Sequence, residues 1–598
     1  MNRSNNLSIV LILLLAFTVE AQTNSKKPLK QCNPSLARQL VEQQAVESKS
    51  MADTDKRIKV LIRVADFLWV TDEETARRYF AEAFQVAREK SREKYVEKSS
   101  GSPFLGVEKP NYPFEVIRAV AKRDAEWTKK LTETALKDSE EIIKQEKEKA
   151  DSVARDPNIS EITGLAISLA EQNPAAALYF ARRAMRAPLQ GNWFYALYQI
   201  AGKNRQLADQ IYAELINTYT NAEVSRLLYL SAYPFARERI MGVEKYQMGA
   251  WMPENFTPNV NLQKQFLNVF LRRVMTLTPE SASLKINSNS PQTAFAVMAL
   301  NEIEPMVAQQ FPEFAEPFQK AKATAQALAS PEVQEIVKNR EDSQKSFSRT
   351  FAERMEDLEK ADEEGKLTDM QVVNLVTNAK KEEDFELAET WLDKIRDEKV
   401  RESATNYFYF SRSKLATKEN RFEEARKHAE KVSKIEHRAV LYFDVAEARL
   451  KEPTTRLNSL DTLFEVYQMA QKAPETIEKA QVLLGLAYMY EKIDHSNALD
   501  SLSNSIKTAN KLENPDLFTS FMSHQIIGKD FANFIGYDVP GFDISQTFGE
   551  ISKKDFQNAV QQAEVFTDKY LRTLAILASV KDCESVKPIK AKPKASTK

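Results

Sequence analysis

The chain has 598 residues, 43% of them hydrophobic and 28% charged, so it can bury a core beneath a solvated surface. Lys and Arg total 84 against 85 Asp and Glu, which denies it the basic excess that phosphate neutralisation demands of a nucleic-acid binder. Only 13 glycines occur, about a third of the ordinary frequency, too few for a fold that spends glycine on strand turns, bulges and phosphate loops. With Ala, Leu, Glu, Lys, Gln and Arg abundant, the composition predicts an all-α chain of helices joined by short turns.

The N-terminus carries Arg3, then the apolar run Leu7–Val19, then Val19-Glu20-Ala21 before Gln22. A short positive region, an apolar core and small residues flanking a cut site read as a signal peptide over 1–21. The run is shorter than the roughly 20 residues a membrane span needs, and no later stretch matches it without charges. The expectation is an exported chain, periplasmic or extracellular, with no transmembrane segment once mature. Export would place Cys32 and Cys583 in an oxidising compartment. They lie at opposite extremes of the folded region, whereas a disulfide requires Cα atoms within about 7 Å. Either both thiols stay free, which the sequence favours, or the array closes so that its termini meet.

One pattern recurs along the chain: an alanine, a second residue four later and a third three further on. It occurs at Ala76, Phe80, Ala83; Ala177, Ala181, Ala184; and Ala208, Tyr212, Leu215. It returns at Ala388, Leu392, Ile395; Ala425, Ala429, Val432; and Ala498, Leu502, Ser505. This spacing puts each trio on one stripe of a helix, the alanine allowing close approach of a neighbour. Ala388 to Ala425 is 37 residues and Ala425 to Ala498 is 73, about two such units. Helices are predicted over Asp55–Val70 and Glu74–Lys90, joined at Thr71-Asp72-Glu73 with Thr71 and Glu74 as a capping box. Further helices are predicted over Leu262–Met275, Asn406–Thr417, Arg421–Val432, Ala439–Leu450 and Leu460–Ala473, with a closing hairpin over Lys553–Val580.

The segment Ala416–Lys431 (ATKENRFEEARKHAEK) resembles the centre of a tetratricopeptide repeat. Leu484-Gly485 with Tyr488 resembles that family's L-G-x-x-Y helix, followed by Ala498 and Leu502. Ser413 stands where the family places a glycine-like residue, the closing proline is mostly missing, and Ala498 falls one residue late. The resemblance implies an α-solenoid of helix-hairpin repeats wound as a right-handed superhelix, and it supports architecture more than function.

The predicted organisation is a signal peptide over 1–21, N-terminal helical hairpins over 22–240, and an irregular segment with linking helices over 241–345. Tetratricopeptide-like repeats follow over 346–511, then C-terminal capping helices over 512–584 and a disordered basic tail over 585–598. Chemistry is scarce. The four histidines, His428, His437, His495 and His524, form no i, i+4 pair, and no zinc, nucleotide or nucleophile-elbow motif occurs, so no cofactor is predicted. Glu424 and His428 share a helix face as a solvated pair, and Asp362-Glu363-Glu364-Gly365 reads as a helix end rather than a calcium loop.

Glu280-Ser281 and Glu402-Ser403 lack the glycine-rich segment that lytic transglycosylases place after their catalytic glutamate. The candidate binding residues are aromatics spread around two helices: Trp193, Tyr195 and Tyr198, and Tyr407 and Tyr409. Either they face a groove as partner anchors or, as favoured, they are buried between neighbouring helices. The functional expectation is an exported scaffold that binds a protein or peptide on a curved surface. The alternative is an exported α/α-type enzyme acting on a polysaccharide or peptide, as glycosidases and lytic transglycosylases do. If the export reading holds, the chain recovered from the envelope or medium begins at Gln22 by intact mass; an unprocessed N-terminus would overturn it.

Overall fold

The computed structural model describes residues 32–93, 111–147, 158–189, 191–236, 252–283, 291–338, 350–451 and 455–585. The signal peptide predicted over 1–21 and residues 586–598 of the predicted tail lie outside them. The chain is an all-α array of packed helix hairpins, and no described helix is long and apolar enough to cross a membrane. In chain order the helices are α1 (Pro34–Ser48), α2 (Thr54–Leu68), α3 (Glu73–Arg92), α4 (Tyr112–Ala121), α5 (Ala125–Lys147), α6 (Asn158–Leu169), α7 (Pro174–Ala184), α8 (Trp193–Lys203) and α9 (Arg205–Thr218). After short helical turns come α10 (Val260–Met275), α11 (Gln292–Gln310) and α12 (Ala315–Ala327). The later helices are α13 (Phe351–Glu363), α14 (Asp369–Asn378), α15 (Glu382–Glu389), α16 (Glu398–Lys418), α17 (Phe422–Glu430), α18 (Ile435–Lys451) and α19 (Arg456–Lys472). The rest are α20 (Ile477–Glu491), α21 (His495–Ala509), α22 (Ile544–Lys554), α23 (Phe556–Glu564) and α24 (Lys569–Val580), with strands β1 (Phe521–Ile527) and β2 (Ala532–Asp538) between α21 and α22.

Two compact units emerge. The main unit holds Val41–Lys472 together with Ser520–Val539, and the terminal unit draws on 32–40, 473–519 and 540–585 among the described residues. In the main unit sequential helices pair (α2 with α3, α6 with α7, α8 with α9), and first helices then stack on first helices, α2 on α4, α4 on α6, α6 on α8. Second helices do the same, α3 on α5 and α7 on α9. The linking helix predicted over Leu262–Met275 is α10, which packs on α9 and α12. Later, α14 stacks on α16 and α16 on α18. In the terminal unit α20 pairs with α21, and α22, α23 and α24 pack on one another.

Turn chemistry repeats even where the helices differ. Asp72, Asp124, Asn173 and Asn204 each donate their backbone N–H to the carbonyl four residues back, closing the preceding helix. The same side chains accept the N–H of the third residue on, Thr75, Trp127, Ala176 and Leu207, opening the next helix. Asp494 makes the same turn in the terminal unit. One short polar residue thus ends one helix and caps another, each cap contributing about 1 kcal/mol. The capping box expected at Thr71 and Glu74 is therefore displaced: Asp72 is the cap, and Thr71 only returns its hydroxyl to the Leu68 carbonyl. Two other hairpins use left-handed residues, Gly365 (φ 70°) and Asn420 (φ 61°). There Lys366 and Arg421 donate to the carbonyls of Ala361 and Ala416, the bond pattern of a Schellman ending. Asp362–Gly365 is accordingly a helix end, and Glu424 pairs with Arg421 rather than with His428.

Every residue of the six alanine stripes is buried. The stripe at Ala388 is not one helix, since α15 stops at Glu389 and Leu392 sits in a short 3-10 turn. Close approach has a polar counterpart. The Ser413 hydroxyl donates to the Ala425 carbonyl at 2.7 Å, and Ser459 to Ala446 at 3.0 Å. In the terminal unit Ser505 donates to Ala480 at 2.7 Å. Ser413, the departure from the tetratricopeptide pattern, thus bridges the two helices of its hairpin.

Ala425, fully buried, packs with Ala416 and Val445 in a core against which Phe422 lies. Ala425→Leu should lower the stability of the main unit by about 1–3 kcal/mol, measured by urea unfolding. An unchanged midpoint would show that these helices do not need the alanine.

Candidate functional site

The aromatics singled out from sequence divide by face. Trp193 and Tyr198 on α8 are buried, and the Tyr198 hydroxyl donates to the Ala232 carbonyl at 2.7 Å. Tyr198 also packs against Tyr233 and Phe256, so the ring and its polar end are both spoken for inside the main unit. Tyr195 is half-buried. On α16, Tyr407 and Tyr409 are two positions apart and point to opposite sides of the helix.

Tyr409 faces a polar network. Its hydroxyl donates to Glu389 Oε1 at 2.6 Å and accepts from Lys431 Nζ at 3.1 Å, and its ring stacks on His428. Arg412 reaches both Glu389 and Glu382, and Arg421 also reaches Glu382. Burial opposes ionisation of Glu389, but the Tyr409 hydroxyl and Arg412 outweigh it and leave the carboxyl below its usual range. Burial, with Arg412 nearby, pushes His428 down to about 4. The network is internally paired and ties α15, α16 and α17 together.

Tyr407 faces the other way, onto a feature the sequence reading did not anticipate: the antiparallel strands β1 and β2 stand where only capping helices were expected. The hairpin packs against α16. Met522, His524 and Ile526 alternate with Phe521, Ser523, Gln525 and Ile527, and His524 and Ile526 are buried while Phe521, Gln525 and Ile527 are exposed. A two-stranded ribbon is marginal alone in water, so its inward side chains must supply its stability. His524 of β1 lies among rings of α16, α18 and β2: Phe410 at 4.4 Å, Tyr407 at 5.5 Å, His437 at 4.1 Å and Tyr537 at 5.7 Å between centroids. The Tyr537 hydroxyl bonds Nδ1 of His437. Lys414 lies over the rings of Phe410 and Tyr537 and pairs with Asp444 at 2.5 Å. On the outer face the Phe521 ring covers Gly536, where a Cβ would meet it at 2.5 Å.

Burial dominates the electrostatics of this cluster. It pushes His437 down to about 4 and, with His437 and Lys434 adding to it, His524 to about 3. Burial likewise raises the Tyr537 hydroxyl far above its ordinary value. Nε2 of His524 is buried without a hydrogen-bond partner among the described residues. The site is therefore neutral, aromatic and filled by a strand. Glu280 and Glu402, the glutamates weighed as catalytic acids, are both exposed. Among the described residues no three His, Cys, Asp or Glu side chains come together as a metal site.

Neither histidine's partner was readable from sequence, because His437 and Tyr537 are 100 residues apart. Neither FMSHQII nor ANFIGYD alternates apolar with polar residues, and the local signal for the strands is only their β-branched and aromatic content (Phe521, Ile526, Ile527, Phe534, Ile535, Tyr537) around Gly528.

Cys32 and Cys583, for which free thiols were favoured, are joined within the terminal unit with Cα atoms 5.5 Å apart across 551 residues of sequence. Cys583 is buried beyond α24.

No family model matches this chain, and no curated protein does. Among solved structures, one described as a circular tandem repeat protein with novel repeat topology and enhanced subunit contact surfaces aligns over 92% of this chain and 96% of its own, at 14% identity. Its TM-score is 0.16, at which the two backbones do not superpose as one fold.

Peptide mapping of the native chain without reductant should recover Cys32 and Cys583 as one linked pair. Reduction should lower the stability of the terminal unit by about 2–4 kcal/mol in calorimetry. Two alkylatable thiols before reduction would exclude the link.

Proposed function

We propose that this chain is an exported helical-repeat scaffold that holds an extended protein or peptide segment on the face formed by α16 and α18. The observation that carries the reading is the hairpin itself: seven-residue strands of the chain lie on those helices with their inward side chains in an aromatic bed. A face that accepts alternating side chains of a strand has the stereochemistry to accept a similar segment from another chain. The tetratricopeptide resemblance of the same stretch favours recognition by the first helices of successive hairpins. Export is supported by the signal-like N-terminus and by a cystine, which persists in oxidising compartments.

The test removes the resident segment. A variant with Phe521–Asp538 replaced by a Gly/Ser linker, its helicity checked by circular dichroism, is titrated with a labelled peptide spanning 519–540. Saturable binding by fluorescence anisotropy, weakened by Tyr407→Ala in the same variant, is expected. A folded variant that leaves the peptide unbound would refute the proposal.

A further inference from the structure

We infer that the β1–β2 hairpin is an acid-released cover: protonation of His437 and His524 lifts it from α16 and α18 while the helices stay folded. The geometry requires this coupling. One histidine belongs to the helical array and the other to the hairpin, and their rings stack at 4.1 Å with an interplanar angle of 26°. A charge on either ring enters a bed of Phe410, Tyr407 and Tyr537, and charges on both repel across the docking interface itself. Among the described residues no salt bridge joins the hairpin to the helices, and Glu436, 3.9 Å from Nε2 of His437, can offset a charge on that ring only, not one on His524.

The groups around the pair set the direction. From α16, Lys414 caps Phe410 and Tyr537 and is already engaged by Asp444 of α18. Lys434, just before α18, adds positive potential at both rings. Glu436 is the one acid near His437, with Oε1 3.9 Å from Nε2, too far for a hydrogen bond. From β2 the Tyr537 hydroxyl faces Nδ1 of His437 and stays protonated. The docked rings hold protons only near pH 4 and 3, whereas undocked rings take them up near 6.5. Docking is therefore fully stable above about pH 6.5 and weakens as pH falls toward 4, by up to about a hundredfold per pH unit where two protons are linked. Asp444 opposes this at the acidic end, because burial raises its carboxyl and the docked state takes up that proton early.

The inference concerns the intact chain and rests on the scaffold reading only for the meaning of the uncovered face. A hairpin that fails to bind in trans would remove the scaffold reading and leave acid release standing. The experiment is amide hydrogen exchange read by mass spectrometry on the full chain from pH 7.5 to 4.5, corrected for intrinsic exchange rates. Peptides covering Phe521–Asp538 should lose protection by at least tenfold across that range, while those of α16 and α18 away from the interface keep theirs. His524→Phe and His437→Gln should each flatten the dependence, and together abolish it. Equal pH dependence in wild type and double variant would overturn the inference, as would unchanged hairpin protection in wild type. Where a variant does not fold at pH 7.5, histidine ring resonances of the wild type decide: titration of both rings near 6.5 in the docked state would overturn it, and absence of titration above pH 5 would support it.

Discussion

The structure depends on how closely one helix approaches the next. An alanine at the crossing brings two helical backbones near enough for a hydroxyl on one to reach a carbonyl on the other, as Ser413 reaches Ala425 and Ser505 reaches Ala480. Larger residues four and seven positions on then fill the groove beside the contact. Because each stripe is local, the hairpins tolerate wide sequence differences elsewhere, and the array needs only this crossing and a short turn to continue. The Asp or Asn turn meets the second requirement by serving two helices with one side chain.

What could be read from the sequence follows from these constraints. Helix type was legible because the 3.6-residue period writes itself into neighbouring positions; all residues of the six stripes are buried, though the Ala388 stripe runs out of its helix at Glu389. Helix bounds were less so: Thr71 and Asp72 are adjacent and both can cap, and only backbone geometry selects Asp72. The β-hairpin was not legible because FMSHQII places its apolar residues in blocks rather than in alternation, and a helical composition makes capping helices the natural expectation there. The partners of Tyr407 and Tyr409 were beyond reach for a different reason. Tyr409 meets side chains drawn from two other helices and Tyr407 a strand more than a hundred residues away, and periodicity carries no information about such meetings.

The two tyrosines show how one helix serves two purposes. On one side of α16 a hydroxyl, two glutamates and two arginines form a paired network that fixes three helices in register. On the other side the same helix offers Tyr407 and Phe410 to rings that arrive on strands. The first side draws on charge-assisted hydrogen bonds between groups that remain partly hydrated, the second on desolvated aromatic and imidazole rings. A proton added to the first side breaks a carboxylate's pairing, whereas one added to the second places a charge among rings at the docking interface.

The order of the chain adds a temporal dimension to the hairpin. Residues through Lys451 complete the bed on α16 and α18, yet Tyr537, which bonds His437, follows 100 residues later. A chain that emerges from its N-terminus therefore presents an open aromatic trough before its own strands exist to fill it. Newly made copies would pass through a stage in which that trough is open to any extended segment nearby, and that stage would end with the arrival of Phe521–Asp538.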